Sequence, residues 1–304
     1  MDSKKIRKSI SRFLGWLGLN FCSLIIQAMP QKWLYNFAKL VAFLGYMLAA
    51  KHRRIALESL RIAFAGQKSE EEMRDIAKNC FLSMAKAGAE LMFLMNKPAL
   101  MKRNITIEGE EILRGALAKG KGVILVSAHF GNFPIMLGKL SLEGYNTAAI
   151  LRHMRDMRAE KMFEQKRKLF GIKSIYTQPR TACVADSIKF LRNNGIIFIP
   201  LDQNFGSGGI FVDFFNRKAA TATGPVVLAL RTKAEVLPCF IIRQKDNTNK
   251  IIFEPAVKLE EGSDSADTLL RNTQKLTTII ESYIRRYPAE WGWIHRRWKS
   301  KEGD

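Results

Sequence analysis

The segment Val123-Ile-Leu-Val-Ser-Ala-His129-Phe-Gly-Asn132-Phe-Pro-Ile-Met136 constrains the fold more than any other part of the chain. Its first half is apolar and β-branched, the pattern of a strand buried on both faces. Gly131 and Asn132 then supply a turn and a helix start. A strand that runs straight into a helix is half of a βα unit, and the sequence repeats it. Residues 105–109 read as a short strand, 110–118 as helix, 122–128 as strand, 133–142 as helix, 147–151 as strand, and 158–170 and 182–193 as helices. A strongly apolar strand follows at 196–201, a helix at 223–232, strands at 236–243 and 251–253, and a long helix at 265–286. Strands separated by helices imply an α/β fold with a mainly parallel central sheet flanked by helices.

The first hundred residues differ. The run from Phe13 to Met29 carries no charge and follows Lys4, Lys5, Arg7, Lys8 and Arg12. It lies at the short end of the ~17–25 residues that cross a bilayer, and its basic flank is expected to stay cytoplasmic. A cleaved signal peptide has a similar outline, but Ile26-Gln-Ala-Met-Pro30 makes a poor cleavage site. A second apolar stretch, Trp33 to Ala50, contains only Lys39 as a charge and ends at Lys51-His-Arg-Arg54. Two arrangements fit: a helical hairpin dipping into one leaflet, or one spanning helix with the other packed beside it. Either puts the chain on a membrane. Residues 1–52 are therefore expected to form an N-terminal membrane hairpin and 53–304 the α/β domain. Residues 53–64 repeat apolar side chains at helical spacing with a basic face, and Ser69-Glu-Glu-Glu72 opens a helix that reaches about Leu94.

With 49 Lys and Arg against 28 Asp and Glu, the formal net charge is +21, which calls for an anionic partner. Anionic lipid and an acidic carrier protein both fit. Nucleic acid is set aside because no zinc-finger spacing, helix-turn-helix or RNA-binding aromatic signature is present. Cys22, Cys80, Cys183 and Cys239 are far apart, without a Cys-x-x-Cys pair, and read as reduced, cytosol-facing fillers. No metal site is expected.

In parallel sheets ligands collect at the carboxyl ends of the strands. His129 ends one buried strand and Asp202-Gln203 end another, so if these strands are neighbours the residues share one edge, and that edge is the site. A neutral imidazole placed there can take a proton near neutral pH.

Four ordered blocks add to this reading: the apolar hairpin with Lys51-His-Arg-Arg-Ile-Ala-Leu-Glu-Ser-Leu-Arg-Ile-Ala-Phe64; Ser127-Ala-His-Phe-Gly-Asn132; Asp202-Gln-Asn-Phe-Gly206 through Phe211-Val-Asp-Phe-Phe215 to Ala219-Ala-Thr-Ala-Thr-Gly-Pro225; and Glu290-Trp-Gly-Trp-Ile-His-Arg-Arg-Trp298. Together they resemble the lipid A biosynthesis acyltransferases, the lauroyl/myristoyl transferases of bacterial inner membranes, within the lysophospholipid acyltransferase superfamily. The resemblance implies transfer of a fatty acyl group from an acyl-carrier-protein or coenzyme A thioester, used as co-substrate with no further cofactor. The acceptor would be a hydroxyl of a lipid A-type glycolipid or a phospholipid at the cytoplasmic face of the inner membrane.

His129 matches the family's base. The family places a carboxylate five residues later, where this chain has Pro134. Glu143, ~16 Å along the helix from Asn132, is too far to replace it. Asp202 is the better substitute and Asp213 a weaker one. The resemblance makes Arg152 a candidate phosphate or carrier contact, with Arg155 and Arg158 extending the positive surface and Arg217 and Lys218 facing the donor phosphate. Gly131 and Asn132 can offer backbone N–H groups to an oxyanion, and Asn132 can also cap the helix. Gln203 joins the substrate contacts, and Gly206-Ser-Gly-Gly209 is a flexible loop suited to closing over an acyl chain. Trp291, Trp293, Trp298 and His295-Arg-Arg297 suit either a membrane interface or a Trp-packed core with solvent-facing arginines. Two other functions compete: a lipid hydrolase, weakened by the lack of a Gly-x-Ser-x-Gly elbow, and a catalytically impaired lipid- or carrier-binding protein, suggested by Pro134.

Overall fold

A computed structural model describes residues 3–261 and 265–303. Four helices come first: α1 (Ser3–Ala28), α2 (Gln31–Leu48), α3 (Ala50–Ala63) and α4 (Glu70–Leu94). Then follow α5 (Pro98–Asn104), β1 (Ile105–Glu108), α6 (Glu110–Ala118), β2 (Val123–Ser127), α7 (Phe133–Leu142), β3 (Thr147–Leu151), α8 (Met157–Leu169), β4 (Lys173–Tyr176), α9 (Arg180–Arg192) and β5 (Ile196–Pro200). The chain continues through β6 (Ile210–Phe214), β7 (Arg217–Thr221), α10 (Gly224–Thr232), β8 (Glu235–Arg243), β9 (Asn249–Phe253) and α11 (Ala266–Arg286).

Seven strands form one sheet in the order β1-β9-β8-β2-β5-β3-β4. Every neighbouring pair is parallel except β8 with β9, which only a short turn separates. All five residues of β2 are buried, as a central strand covered on both faces requires. Successive side chains alternate between two cores. Ile124, Val126, Ile197 and Ile199 pack with α3 and α11, while Val123, Leu125, Ile196 and Phe198 pack with α4, α6 and α7. Each such side chain contributes about 1.5–3 kcal/mol through burial, so the two central strands are the firmest platform in the molecule.

The α/β fold with a mainly parallel sheet is as the sequence implies, with three additions. α5 and the edge strand β4 were not anticipated, and β6 and β7 form a separate antiparallel pair. Their turn places Phe215 and Asn216 at positive φ (53° and 57°), the backbone of a tight two-residue hairpin. At the start of α4, Ser69 and Glu72 form the anticipated capping box, each side chain taking the other's backbone N–H. All four cysteines are free, and Cys80 and Cys239 are buried.

The N-terminal helices are amphipathic. Ile26, Leu34 and Ala38 are buried in the same core as Ala89 and Phe93 of α4. Leu17, Phe21, Leu24, Trp33, Phe43, Leu44 and Leu48 are exposed. Among the described residues no single helix is long and apolar enough to cross a membrane, although α2 and α3, bent by 87°, satisfy that test as a pair. The basic side chains Lys4, Lys5, Arg7, Lys8 and Arg12 lie outside the described ones.

Candidate active site

β2 and β5 are parallel neighbours in a register that pairs Ser127 with Pro200. His129 and Asp202 each lie two residues beyond that pair, so both leave the sheet at the same level. His129 Nδ1 is 2.8 Å from Asp202 Oδ1. Asp202 is buried, and its other oxygen accepts a 2.7 Å hydrogen bond from the Trp291 indole N–H. The imidazole itself is 36% exposed and opens on a cleft of about 430 Å³.

Burial alone would push the Asp202 carboxyl up, but the charge and hydrogen bond of His129, with the indole N–H, hold it below the usual aspartate value. Burial would likewise lower His129, and the Asp202 charge and hydrogen bond outweigh it, leaving the imidazole above its ordinary value. With Asp202 ionised, Nδ1 carries the proton and Nε2 presents a lone pair to the cleft. Gln203 Nε2 is 3.3 Å from that nitrogen, so the carboxamide donates to it in the resting site.

α4 forms one wall of the cleft through Ser83, Met84, Ala87, Gly88 and Leu91. Gly131, Asn132, Phe133 and Pro134 form the second, Glu290, Gly292, Ile294 and His295 the third, and His52 of α3 stands at one side. The wall is largely apolar with a few convergent polar groups, the usual character of a site for a small molecule or lipid chain.

Gly131 and Asn132 differ from expectation in detail. Gly131 adopts φ +55°, and a Cβ there would lie 2.2 Å from the Ile241 carbonyl oxygen, so both conformation and close approach require glycine. Its N–H donates to the Glu290 carbonyl at 2.8 Å, which occupies the group expected to face an oxyanion. Asn132 holds the N-cap position of α7 but makes no side-chain cap. Its Nδ2 instead donates to Ala87 O and Glu90 Oε2, both at 3.0 Å. Glu90 is buried and also accepts from the Tyr35 hydroxyl (3.0 Å) and from Arg243, whose Nη2 lies at 2.9 Å. This hub ties α2, α4, α7 and β8 together behind the cleft. A lone acid within Ala85-Lys-Ala-Gly-Ala-Glu90-Leu91 was its sequence signal.

The other candidates lie apart from His129. Arg152 is exposed just beyond the carboxyl end of β3, at the same sheet edge but not in the cleft wall. Arg217 and Lys218 are exposed on β7, where Lys218 pairs with Asp213 at 3.2 Å. Asp213 stays exposed and outside the cleft lining, and Glu143 pairs with Lys139 at 2.7 Å. Among the described residues no three His, Cys, Asp or Glu side chains gather as metal ligands would.

The tail follows the second of its two readings, a Trp-packed core, and departs from it at Arg297. Trp291 and Trp293 are fully buried, so they face the core and not a membrane interface. Arg297, expected toward solvent, is fully buried as well. Its Nη1 donates to Gln203 O (3.1 Å) and Ala220 O (2.6 Å), its Nη2 bonds Thr221 Oγ1, and its Cζ lies 5.2 Å from the Phe214 ring centroid. Burial brings its pKa down to about 10, so it remains a cation. Arg297 thus clamps the Asp202–Gln203 loop onto the β6–β7 hairpin. His295 takes the Asn204 backbone N–H at 3.4 Å and borders the cleft. Sequence reasoning missed Trp291 as Asp202's anchor and the cleft positions of Ser83, His52 and Glu290.

An imidazole held by a buried carboxylate over an apolar cleft has the chemistry to take a proton from a group bound there. The chain belongs to the bacterial lipid A biosynthesis acyltransferase family, whose model matches residues 1–300. It is 24% identical over 293 residues to the lipid A biosynthesis palmitoleoyltransferase of Escherichia coli, covering 95% of this chain and 92% of that protein. Against the lipid A biosynthesis lauroyltransferase of the same organism it is 22% identical over 302 residues, with the same coverage. A phosphatidylinositol mannoside acyltransferase of Mycobacterium tuberculosis shares 24% identity over 197 residues, 63% of this chain and 59% of that protein. The chain is thus an enzyme of the acyltransferase class.

Proposed function

We propose that this protein moves a fatty acyl group from an acyl-carrier-protein or coenzyme A thioester to a hydroxyl of a lipid A-type glycolipid, with His129 as general base. The observation that carries the reading is the chain of contacts from Trp291 through Asp202 to His129, which fixes the imidazole tautomer with Nε2 toward the cleft. The acceptor hydroxyl gives its proton to Nε2 as its oxygen attacks the thioester carbonyl carbon. Collapse of the tetrahedral intermediate expels the thiolate, which takes the proton from the imidazolium, leaving an ester and a free thiol. The reaction calls on no further cofactor. The Gln203 carboxamide, beside Nε2, is placed to donate to the developing oxyanion in the role that the Gly131 N–H cannot take. Arg152, at the same sheet edge, together with Arg217 and Lys218, offers cationic contacts for the donor's phosphate groups.

The exposed apolar side chains of α1 and α2, with the +21 net charge, support residence at the cytoplasmic face of the bacterial inner membrane, with anionic lipid and an acidic carrier protein as partners. The binding-only alternative rested on Pro134, and a carboxylate 2.8 Å from Nδ1 weighs against it. The test is acyl transfer by detergent-purified protein from radiolabelled acyl-carrier-protein and acyl-coenzyme A donors to membrane lipids. Wild type is expected to turn over with at least one donor, and His129→Ala to lose turnover while remaining folded, with a lowered melting temperature because buried Asp202 loses its partner. An inactive wild type with every donor, or an active His129→Ala, overturns the reading.

A further inference from the structure

Residues 291–300 grip the loop after β5 one residue at a time. The Trp291 indole N–H donates to Asp202, Arg297 Nη1 donates to the Gln203 carbonyl at 3.1 Å, and His295 Nε2 accepts the Asn204 N–H. The Asn204 side chain adds a 3.1 Å bond to Ser300 Oγ. Of these gripping groups, Arg297 is the least favourable to bury. Its guanidinium is fully enclosed and, among the described residues, bonds two carbonyls and a hydroxyl but no carboxylate, while its Nε finds no acceptor. Desolvation penalises such a cation heavily, and an apolar side chain of similar volume would pack on Phe214 more favourably. What that side chain would lack is the rigid fork of donors. One nitrogen of the fork reaches both Gln203 O and Ala220 O.

Gln203 depends on that hold. Its side chain is exposed and, among the described residues, its carboxamide has a single hydrogen-bond contact, with His129 Nε2 at 3.3 Å. Packing therefore does not fix the side-chain torsions, and the backbone position of residue 203 decides whether the carboxamide reaches the base. The Gln203 carbonyl, in turn, has Arg297 as its one donor among the described residues. We infer that Arg297 is a positioning residue for acyl transfer: by fixing the Gln203 carbonyl it holds the Gln203 carboxamide at Nε2 of His129, where the oxyanion develops. The assignment rests on the acyl-transfer reading above. A displacement of about 1 Å at such a group is enough to slow a reaction by about 10²-fold. Arg297 is outside the cleft lining and touches neither base nor substrate, so its effect reaches the reaction through residue 203.

The experiment is a double-mutant cycle on transfer by the detergent-purified full chain, with the radiolabelled donors and membrane lipids named above, at one temperature below every variant's melting point. Gln203→Ala is expected to lower kcat by about 10²-fold, the effect of one oxyanion donor, and to leave the donor KM within about threefold. Arg297→Met should match it in both parameters, and adding Arg297→Met to Gln203→Ala should lower kcat by no more than about twofold further. Arg297→Lys keeps the charge without the planar fork and should recover about tenfold of the loss. Thr221→Val removes the Nη2 contact at the hairpin and leaves the one at Gln203, so it should lower the melting temperature and keep kcat within about threefold. If Arg297→Met does not fold, Arg297→Lys closes the cycle, its remaining deficit vanishing in the Gln203→Ala background. Losses in kcat that add across the cycle, or that follow melting temperature through Thr221→Val as well, mark a purely structural role and overturn the inference. So does a Gln203→Ala protein with full kcat, or an Arg297→Met protein whose donor KM rises at constant kcat. An inactive wild type with every donor refutes the acyl-transfer reading itself, whereas an active one with an additive cycle refutes only the present assignment.

Discussion

Asp202 stays ionised where burial opposes its charge because His129 and the Trp291 indole both donate to it, and the pH dependence of the site follows from that pairing. The active base is neutral His129, whose pKa is raised by Asp202, so kcat/KM should climb with pH along a limb above about 6.5. Asp202→Asn should move that limb to lower pH and cut the plateau by roughly 10²–10⁴-fold, because the amide can donate to Nδ1 and leave the proton on Nε2. A pH profile of the two proteins checks both parts. Stability responds with the opposite sense. The raised folded pKa of His129 gives a contribution complete below about 6.5 and lost as pH rises through the folded value. Asp202, depressed when folded, contributes above about 3.9 and loses that as pH falls through its folded value. Pro134→Glu, which adds an acid at this half-buried first-turn position of the cleft wall, should leave activity within about twofold, since Nδ1 is already engaged by Asp202. A large gain would show that Asp202 is an inadequate partner. Arg297→Met strands the Gln203 and Ala220 carbonyls and should cost about 3 kcal/mol, lowering Tm by roughly 6–12 °C in a thermal melt.

Among the elements, what could be read in the sequence was what buries both faces. β2, β5 and β8 announce themselves as apolar runs, and their order on the sheet turns a conditional statement about His129 and Asp202 into a 2.8 Å contact. β4, with Lys173 exposed and only Ile175 fully buried, gives no such run. β6 and β7 lie outside the main sheet, and β7 opens with two exposed cations, so its composition resembles a loop. The tail was read in both senses because tryptophan and arginine suit an interface and a core equally. Nothing local indicates that residue 291 returns to residue 202. The Asn132 side chain shows the same limit: the cap position was legible, but its use on Glu90 depends on where α4 docks. The β2–α7 turn gives a direct test, since Gly131→Ala must relieve both a positive φ and a Cβ 2.2 Å from Ile241 O. It should destabilise the fold by about 2–4 kcal/mol in a denaturant titration.

Over the whole molecule, a sheet edge carries the base, and the two N-terminal helices packed on α4 carry apolar side chains left exposed. Leu24 is 67% exposed and Leu48 80%, values that water alone does not favour for helices packed on one face only. Leu24→Glu with Leu48→Glu should leave the thermal melt nearly unchanged, because neither side chain packs in the core. It should weaken sedimentation with anionic vesicles at high salt by about tenfold or more, in proportion to the apolar area withdrawn. Equal sedimentation would move the contact elsewhere. The bridge between Phe130 and Trp291 also has a consequence for synthesis. Trp291 is 89 positions beyond the aspartate it holds, and chains fold from the N-terminal side as they leave the ribosome. A nascent chain can assemble the central strands and bring His129 to Asp202 well before the indole arrives, so the base becomes competent only after residue 291 has emerged. Interrupted translation products that stop short of it would carry the sheet but not the chemistry.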